Sequence, residues 1–266
     1  MGYNDLLQVV VFVCVPQTGG ASSRKMDRMK LSTLPVAFAL SAVLALAACA
    51  NSATEPSPSP SPSVPAAVLD DRPVDEQLVD AVLSSDIPLA ALAIEAGADP
   101  NLFNEESQNS PLSLAITRDD LAMVELLLES GAEVEWPELN YSALQMVAPF
   151  AGADVTQALL NAGAHPDGVG EQLGIPLASA AFEGNYEVVA VLLTAGANPN
   201  VVLDNGQRTF TPLYSAAYSG DLESVRLLIQ AGADPSFRSN DGYSAAEWAD
   251  YNGYPEVAEF LRLAGA

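Results

Sequence analysis

Lysine is missing from most of this chain. Only ten of its 266 residues are Lys or Arg against 34 Asp or Glu, for a formal net charge of −24. From Ala50 onward there are six arginines, no lysine and 32 carboxylates, which leaves that part at −26. A phosphate backbone needs a basic surface, so nucleic acid is excluded as a partner. Histidine occurs once, at His165, and cysteine twice, at Cys14 and Cys49. Two cysteines cannot build a disulfide framework, and one histidine cannot complete a Cys/His zinc site, so neither metal nor cofactor is expected. With 49% hydrophobic and 17% charged residues the chain is not disordered throughout, and its length suits one or two domains.

The start of the chain has the pattern of an address. A basic cluster, Arg24-Lys-Met-Asp-Arg-Met-Lys30, precedes an apolar run from Leu31 to Ala48 that ends in small residues. That order of charge, apolar run and small residues is that of a secretory signal. A transmembrane helix fits less well, because the run is short, holds Pro35 and is followed by polar residues. Residues Leu46-Ala47-Ala48-Cys49 resemble the lipobox of bacterial lipoproteins. The resemblance implies cleavage before Cys49 and a thioether-linked lipid on its sulfur, with attachment to a membrane. Residues 26–48 are thus expected to be the signal peptide, with a signal helix, and residues 1–25 an upstream extension set by start-codon choice. Met1, Met26 and Met29 all remain open as starts.

Residues 49–73 hold the anchor cysteine and a linker. Within it, Pro56-Ser-Pro-Ser-Pro-Ser-Pro-Ser-Val-Pro65 alternates proline with small residues. Proline fixes φ and removes amide donors, so this stretch is expected to be a disordered, extended spacer rather than helix or sheet.

The rest repeats. Gly-Ala pairs fall at 97–98, 131–132, 163–164, 196–197, 232–233 and 265–266, at intervals of 32 to 36 residues. An apolar helical segment precedes each pair, and a polar turn follows five of them, as in Ala98-Asp-Pro-Asn101. Glycine there can take the left-handed helix cap, and a following proline prevents the helix from continuing. Upstream lies a shorter segment with a recurring phrase: Ser110-Pro-Leu-Ser-Leu-Ala115, Ser142-Ala-Leu-Gln-Met-Val147, Ile175-Pro-Leu-Ala-Ser-Ala180, Thr211-Pro-Leu-Tyr-Ser-Ala216 and Ser244-Ala-Ala-Glu-Trp-Ala249. Ser or Thr can cap the helix, and Pro suits its first turn. Phrase and period together resemble the ankyrin repeat family. The resemblance implies an all-α solenoid of about six helix-turn-helix units with short hairpin fingers over residues 74–266. The units fall at about 74–103, 104–135, 136–168, 169–201, 202–237 and 238–266.

Departures from the family pattern carry information. The histidine of its phrase is replaced by Ser113, Gln145, Ala178, Tyr214 and Glu247, so its hydrogen bonds between neighbouring turns must be lost or remade. The first unit begins polar and lacks the phrase, and the last has no following turn, as expected of caps. An interval of 36 residues marks an insertion at 203–210, expected to lengthen a finger.

No residues suggest catalysis. His165 sits in a turn where other units carry Asp99, Asn198 or Asp234, Glu105-Glu106 lacks calcium-loop spacing, and no phosphate loop is present. An enzyme is not expected; a protein-binding face is. The resemblance implies that the two residues before each mid-unit glycine face outward on the concave side. Here these include Thr117 and Arg118, Pro149 and Phe150, Phe182 and Glu183, Tyr218 and Ser219, and Tyr251 and Asn252. Aromatic rings along such a groove suit an interface. Packing against their own fingers is the alternative. Trp136 and Phe210 are further candidates near fingers, whereas Trp248 suits the core. The resulting expectation is a monomeric, lipid-anchored extracytoplasmic protein that acts as a scaffold or adaptor for a partner with a basic surface. The other reading is an immunity or envelope-protective protein that blocks a toxin or supports a periplasmic enzyme.

Overall fold

Repetition in the sequence becomes two rows of antiparallel helices. The computed structural model describes residues 67–104, 109–136, 141–169, 175–204 and 206–266. The signal segment, Cys49, the linker as far as Ala66 and the Glu105-Glu106 pair lie outside them. So do the side chains of Tyr141, Pro149 and Phe150.

The inner row consists of α1 (Val74–Ser84), α3 (Pro111–Thr117), α5 (Ala143–Phe150), α7 (Ile175–Glu183), α9 (Pro212–Ser219) and α11 (Ala245–Asn252). Each is followed by an outer partner: α2 (Ile87–Glu95), α4 (Leu121–Glu129), α6 (Ala153–Asn161), α8 (Tyr186–Thr194), α10 (Leu222–Gln230) and α12 (Pro255–Ala264). Helices in each row pack on the next member of that row as well as on their own partner. Two hairpin fingers are formed by β1 (Glu135–Trp136) with β2 (Tyr141–Ser142), and by β3 (Leu203–Asp204) with β4 (Thr209–Phe210). The second occupies the expected insertion, with Leu203 opposite Phe210 and Asp204 opposite Thr209.

These helices are short, seven to eleven residues, and could not persist alone in water. Burial between neighbours stabilises them. Leu112, Leu144, Leu177 and Leu213, one from each of four phrases, are all buried, as are Leu127, Leu159, Leu192, Leu228 and Leu261 of the outer row. Small residues let the inner helices approach closely: Ala115, Ala180, Ala181, Ala216, Ala217 and Ala249 are completely enclosed.

Helix ends are satisfied locally. The side chains of Asp86, Asp120, Asn185 and Asp221 accept backbone N–H bonds at the starts of outer helices. In the inner row, the family's histidine position has found other work. Ser113 Oγ accepts from the Ser110 N–H, Gln145 Oε1 from Ser142 and Glu247 Oε2 from Ser244, so the replacement closes a capping box within its own unit.

The Gly-Ala turns need their glycine for backbone shape. Gly97, Gly163 and Gly196 have φ of 100°, 98° and 93°, and no atom would obstruct an added Cβ. Gly220 differs, since a Cβ there would lie 2.4 Å from the Tyr254 ring.

Between units, turn side chains join each turn to the next. Asn101 Oδ1 accepts from the Glu133 N–H at 2.8 Å, while its Nδ2 donates to the Gly131 carbonyl at 3.0 Å. Asn200 does the same with Asp234 and Gly232, at 2.8 and 2.9 Å. Glu135 accepts from His165 N–H, and Asp167 from Asn198 N–H. His165 is an exposed member of this ladder, its Nδ1 accepting from the Asp167 N–H at 3.3 Å.

Candidate functional site

The ends of α7, α9 and α11 share one register because their units repeat. Phe182, Tyr218 and Tyr251 stand in corresponding positions, each two residues before a glycine that ends the helix with positive φ (Gly184, Gly220 and Gly253). The structure brings the first two directly together. Phe182 and Tyr218 stack with ring centroids 5.3 Å apart and planes 17° from parallel. Both are half-buried, and Ser219 Oγ reinforces the step by donating to the Ala181 carbonyl at 2.8 Å.

The stack does not continue to Tyr251. Trp248, one turn earlier on α11, fills the space instead. Its ring lies 6.2 Å from Tyr218, tilted by 43°, and meets Tyr251 edge-on at 5.3 Å. Tyr214 and Tyr243 also pack on Trp248, with centroids at 5.6 and 5.8 Å. Trp248 is therefore both core and hub: only 7% of it is accessible, while Tyr243 and Tyr251 are 50% and 64% exposed around it. Such tilted and edge contacts are favoured by the charge distribution of aromatic rings. The indole Nε1–H is buried with no hydrogen-bond partner among the described residues.

The lengthened finger covers one side of this cluster. Arg208 lies over the Trp248 ring at 4.3 Å from its centroid, donates to the Tyr214 hydroxyl at 3.1 Å and pairs with Asp241. Next to it, Thr209 and Asn240 exchange bonds: Thr209 N–H donates to Asn240 Oδ1 at 3.2 Å, and Asn240 N–H to Thr209 Oγ1 at 3.0 Å. Finger 203–210 is thereby fixed to the following unit's loop. Phe210 is half-buried at the base of that finger.

Other candidates stand apart from the cluster. Trp136 is half-buried and packs against the hydrophobic core beside the first finger. Arg118 ends α3 with an exposed side chain that forms no ion pair among the described residues. Glu183 follows Phe182 with an exposed side chain. Partial burial nevertheless holds its carboxyl above the ordinary range.

Sequence reasoning missed Arg208 and Tyr214 as members of the cluster and placed Trp248 only in the core. The available signal was spacing: Trp248 and Tyr251 are three residues apart on one helix and so share a face. The folding of the finger onto that face had no comparable local signal.

No three His, Cys, Asp or Glu side chains among the described residues are grouped to hold a metal ion. A face of rings, hydroxyls and separated carboxylates can recognise a surface by stacking and by charge.

Residues 176–266 match the family model for ankyrin repeats in three copies, and residues 107–137 match that for a single ankyrin repeat. Ankyrin repeats are thus matched over residues 107–137 and 176–266. A solved ankyrin repeat domain from Acinetobacter baumannii is 27% identical, with 71% of this chain and 97% of that one covered and a TM-score of 0.60. An ankyrin repeat-containing protein of Treponema pallidum is 29% identical over 128 residues, which is 47% of this chain and 42% of that protein. A Danio rerio protein named as a palmitoyltransferase, ZDHHC13, is 33% identical over 113 residues, 41% of this chain and 17% of the other. The matches therefore span less than half of either curated relative. Ankyrin repeats imply a protein-interaction module, and the helical solenoid expected from the sequence is the fold observed.

Proposed function

We propose that this protein is an extracytoplasmic bacterial lipoprotein whose repeats bind a protein partner through the aromatic face of its last three units. The observation that carries the reading is the Phe182–Tyr218–Trp248–Tyr251 cluster: the open or half-open rings of Phe182, Tyr218 and Tyr251 fixed on helices around a buried Trp248 and braced by a finger. Rigid aromatic side chains lose little freedom on binding and dominate interface energetics. The lysine-free, −26 sequence after Ala50 supports a basic partner, whose encounter would be accelerated by charge. The Leu46-Ala47-Ala48-Cys49 pattern supports attachment through lipidated Cys49, and the proline-rich linker supports a domain held away from the membrane.

The binding face is tested by affinity capture with the full chain and with the Phe182→Ala/Tyr218→Ala double variant, after both are shown to melt cooperatively. Loss of the specific partners in the double variant is expected; unchanged capture refutes this face as the site. The anchor is tested by Cys49→Ser, which should move the protein from the membrane fraction into the salt wash. Retention would refute lipid attachment.

A further inference from the structure

The chain after Ala50 carries six arginines. Five of them each pair with at least one carboxylate, as Arg72 does with Asp70 and Arg238 with Glu247. Arg118, just after α3, is the exception: it is exposed and has no ion pair among the described residues. The two residues that follow it are both acids, yet neither supplies the pair. Asp119 Oδ1 accepts from the Gly152 N–H of the next unit at 2.8 Å, and Asp120 Oδ1 accepts from the Met123 N–H at the start of α4 at 3.2 Å. These carboxylates are committed to backbone amides, which leaves the guanidinium open.

Arg118 lines an open cavity of about 630 Å³, where the turn between α1 and α2 meets the turn between α3 and α4. Its other walls are Ser85, Thr117, Asp119, Asp120 and Leu121. At later steps the matching turns touch, with Asp221 against Gly184 and the Tyr254 ring against Gly220. At this first step the positions of those glycines are held by Ser85 and Asp119, with φ of 55° and 53°. Among the described residues these are the two non-glycine residues with positive φ, and both border the same cavity. Backbone held in that region by residues with a Cβ is strained, and such strain gathers where binding residues are positioned.

We propose that this cavity takes one carboxylate side chain of the partner protein, gripped by the Arg118 guanidinium. This deepens the proposed binding function and rests on it. The planar fork of arginine matches a carboxylate through two parallel N–H···O bonds. The walls select the anion, because repulsion from Asp119 and Asp120 grows with ligand charge and disfavours a phosphate dianion. The −26 balance of the chain after Ala50 likewise disfavours an acidic partner surface, so the occupant is a single acid set among basic residues.

The test uses the full chain with labelled arginine, titrated with N-acetylglycine as the carboxylate probe and N-acetylglycinamide as its neutral twin at constant ionic strength. The Arg118 Nε–Hε resonance should shift and saturate with the acid and stay still with the amide. The corresponding resonance of Arg262, already paired with Asp250, should not respond. Inorganic phosphate should bind more weakly than the acid. Arg118 is exposed and unpaired, so Arg118→Gln should fold and melt like the parent. In that variant the saturable shift of the Asp119 backbone amide should vanish, and in Arg118→Lys it should persist with about fivefold weaker affinity. An Arg118 resonance that does not saturate, an equal response to the amide or at Arg262, tighter binding of phosphate, or unchanged affinity in Arg118→Gln overturns the subsite. Those results leave the aromatic face intact if the Phe182→Ala/Tyr218→Ala variant still loses its captured partners. Unchanged capture by that variant would refute the face, whatever Arg118 does.

Discussion

Trp248 joins the aromatic side chains of two units into one packed cluster. Its ring touches four tyrosines and a guanidinium, but its indole N–H has no partner among the described residues. Buried polar groups without partners cost stability, whereas a ring of similar shape without that group avoids the cost. Trp248→Phe should therefore be mild, less than about 1.5 kcal/mol. Trp248→Ala should cost about 3–5 kcal/mol through the cavity it leaves. Urea titration of both variants checks the contrast; similar losses would mean that the indole's polar edge has an essential role.

Glu247 offers a second test at this scale. The backbone N–H of Ser244 is the main cause of its lowered pKa, with help from Arg238. Its ionised form is stabilised by folding, so its contribution is present above the ordinary glutamate range and disappears as pH falls through the lowered folded-state value. Glu247→Gln keeps an acceptor for the capping box but removes the charge. It should melt below the parent at pH 7, and the gap should close in acid. A gap that stays constant from neutral to acid pH would contradict this account.

Among the elements, the second finger makes the sharpest prediction. It is held to the following unit by the reciprocal Thr209–Asn240 bonds and by Arg208 on Trp248. Asn240→Ala should cost about 1 kcal/mol and raise amide exchange at Thr209 while the helices stay protected. A double-mutant cycle with Thr209→Val should give less than the sum of the single losses, because each substitution removes one bond of a reciprocal pair and loosens the geometry that the other bond needs. Strict additivity would show that the two residues act independently.

The elements were largely legible beforehand. Ser110, Thr211 and Ser244 announced inner helices, the Gly-Ala pairs announced the ends of outer ones, and the long interval announced the finger. These signals concern residues close in sequence. The stack of Phe182 on Tyr218 could be anticipated by aligning units, since equal register puts equal positions together. Its interruption by Trp248 could not, because a bulky ring at a phrase position competes for space across units. Likewise, nothing near Asn101, Asp167 or Asn200 reveals that their side chains reach the following turn, 30 or more residues away.

Over the whole molecule, excess negative charge sets the response to salt. Among the described residues the arginine ion pairs involve partly exposed groups, such as Arg72 with Asp70 and Arg238 with Glu247, and contribute modestly. Repulsion among the remaining carboxylates opposes the compact state. Raising sodium chloride from about 50 to about 500 mM shortens the screening length and should raise the melting temperature. A fall would show that the ion pairs dominate. Binding to the proposed basic partner should move the opposite way, losing association rate as salt increases.

The ladder of turn side chains also has a mechanical meaning. Asn101, Glu135, Asp167 and Asn200 each tie one turn to its successor, so load is passed from unit to unit rather than shared by a closed core. Under tension applied at its two ends, such a stack yields by peeling. Each detached unit of about 33 residues would release roughly 100 Å of chain, and extension would proceed as a staircase of nearly equal treads.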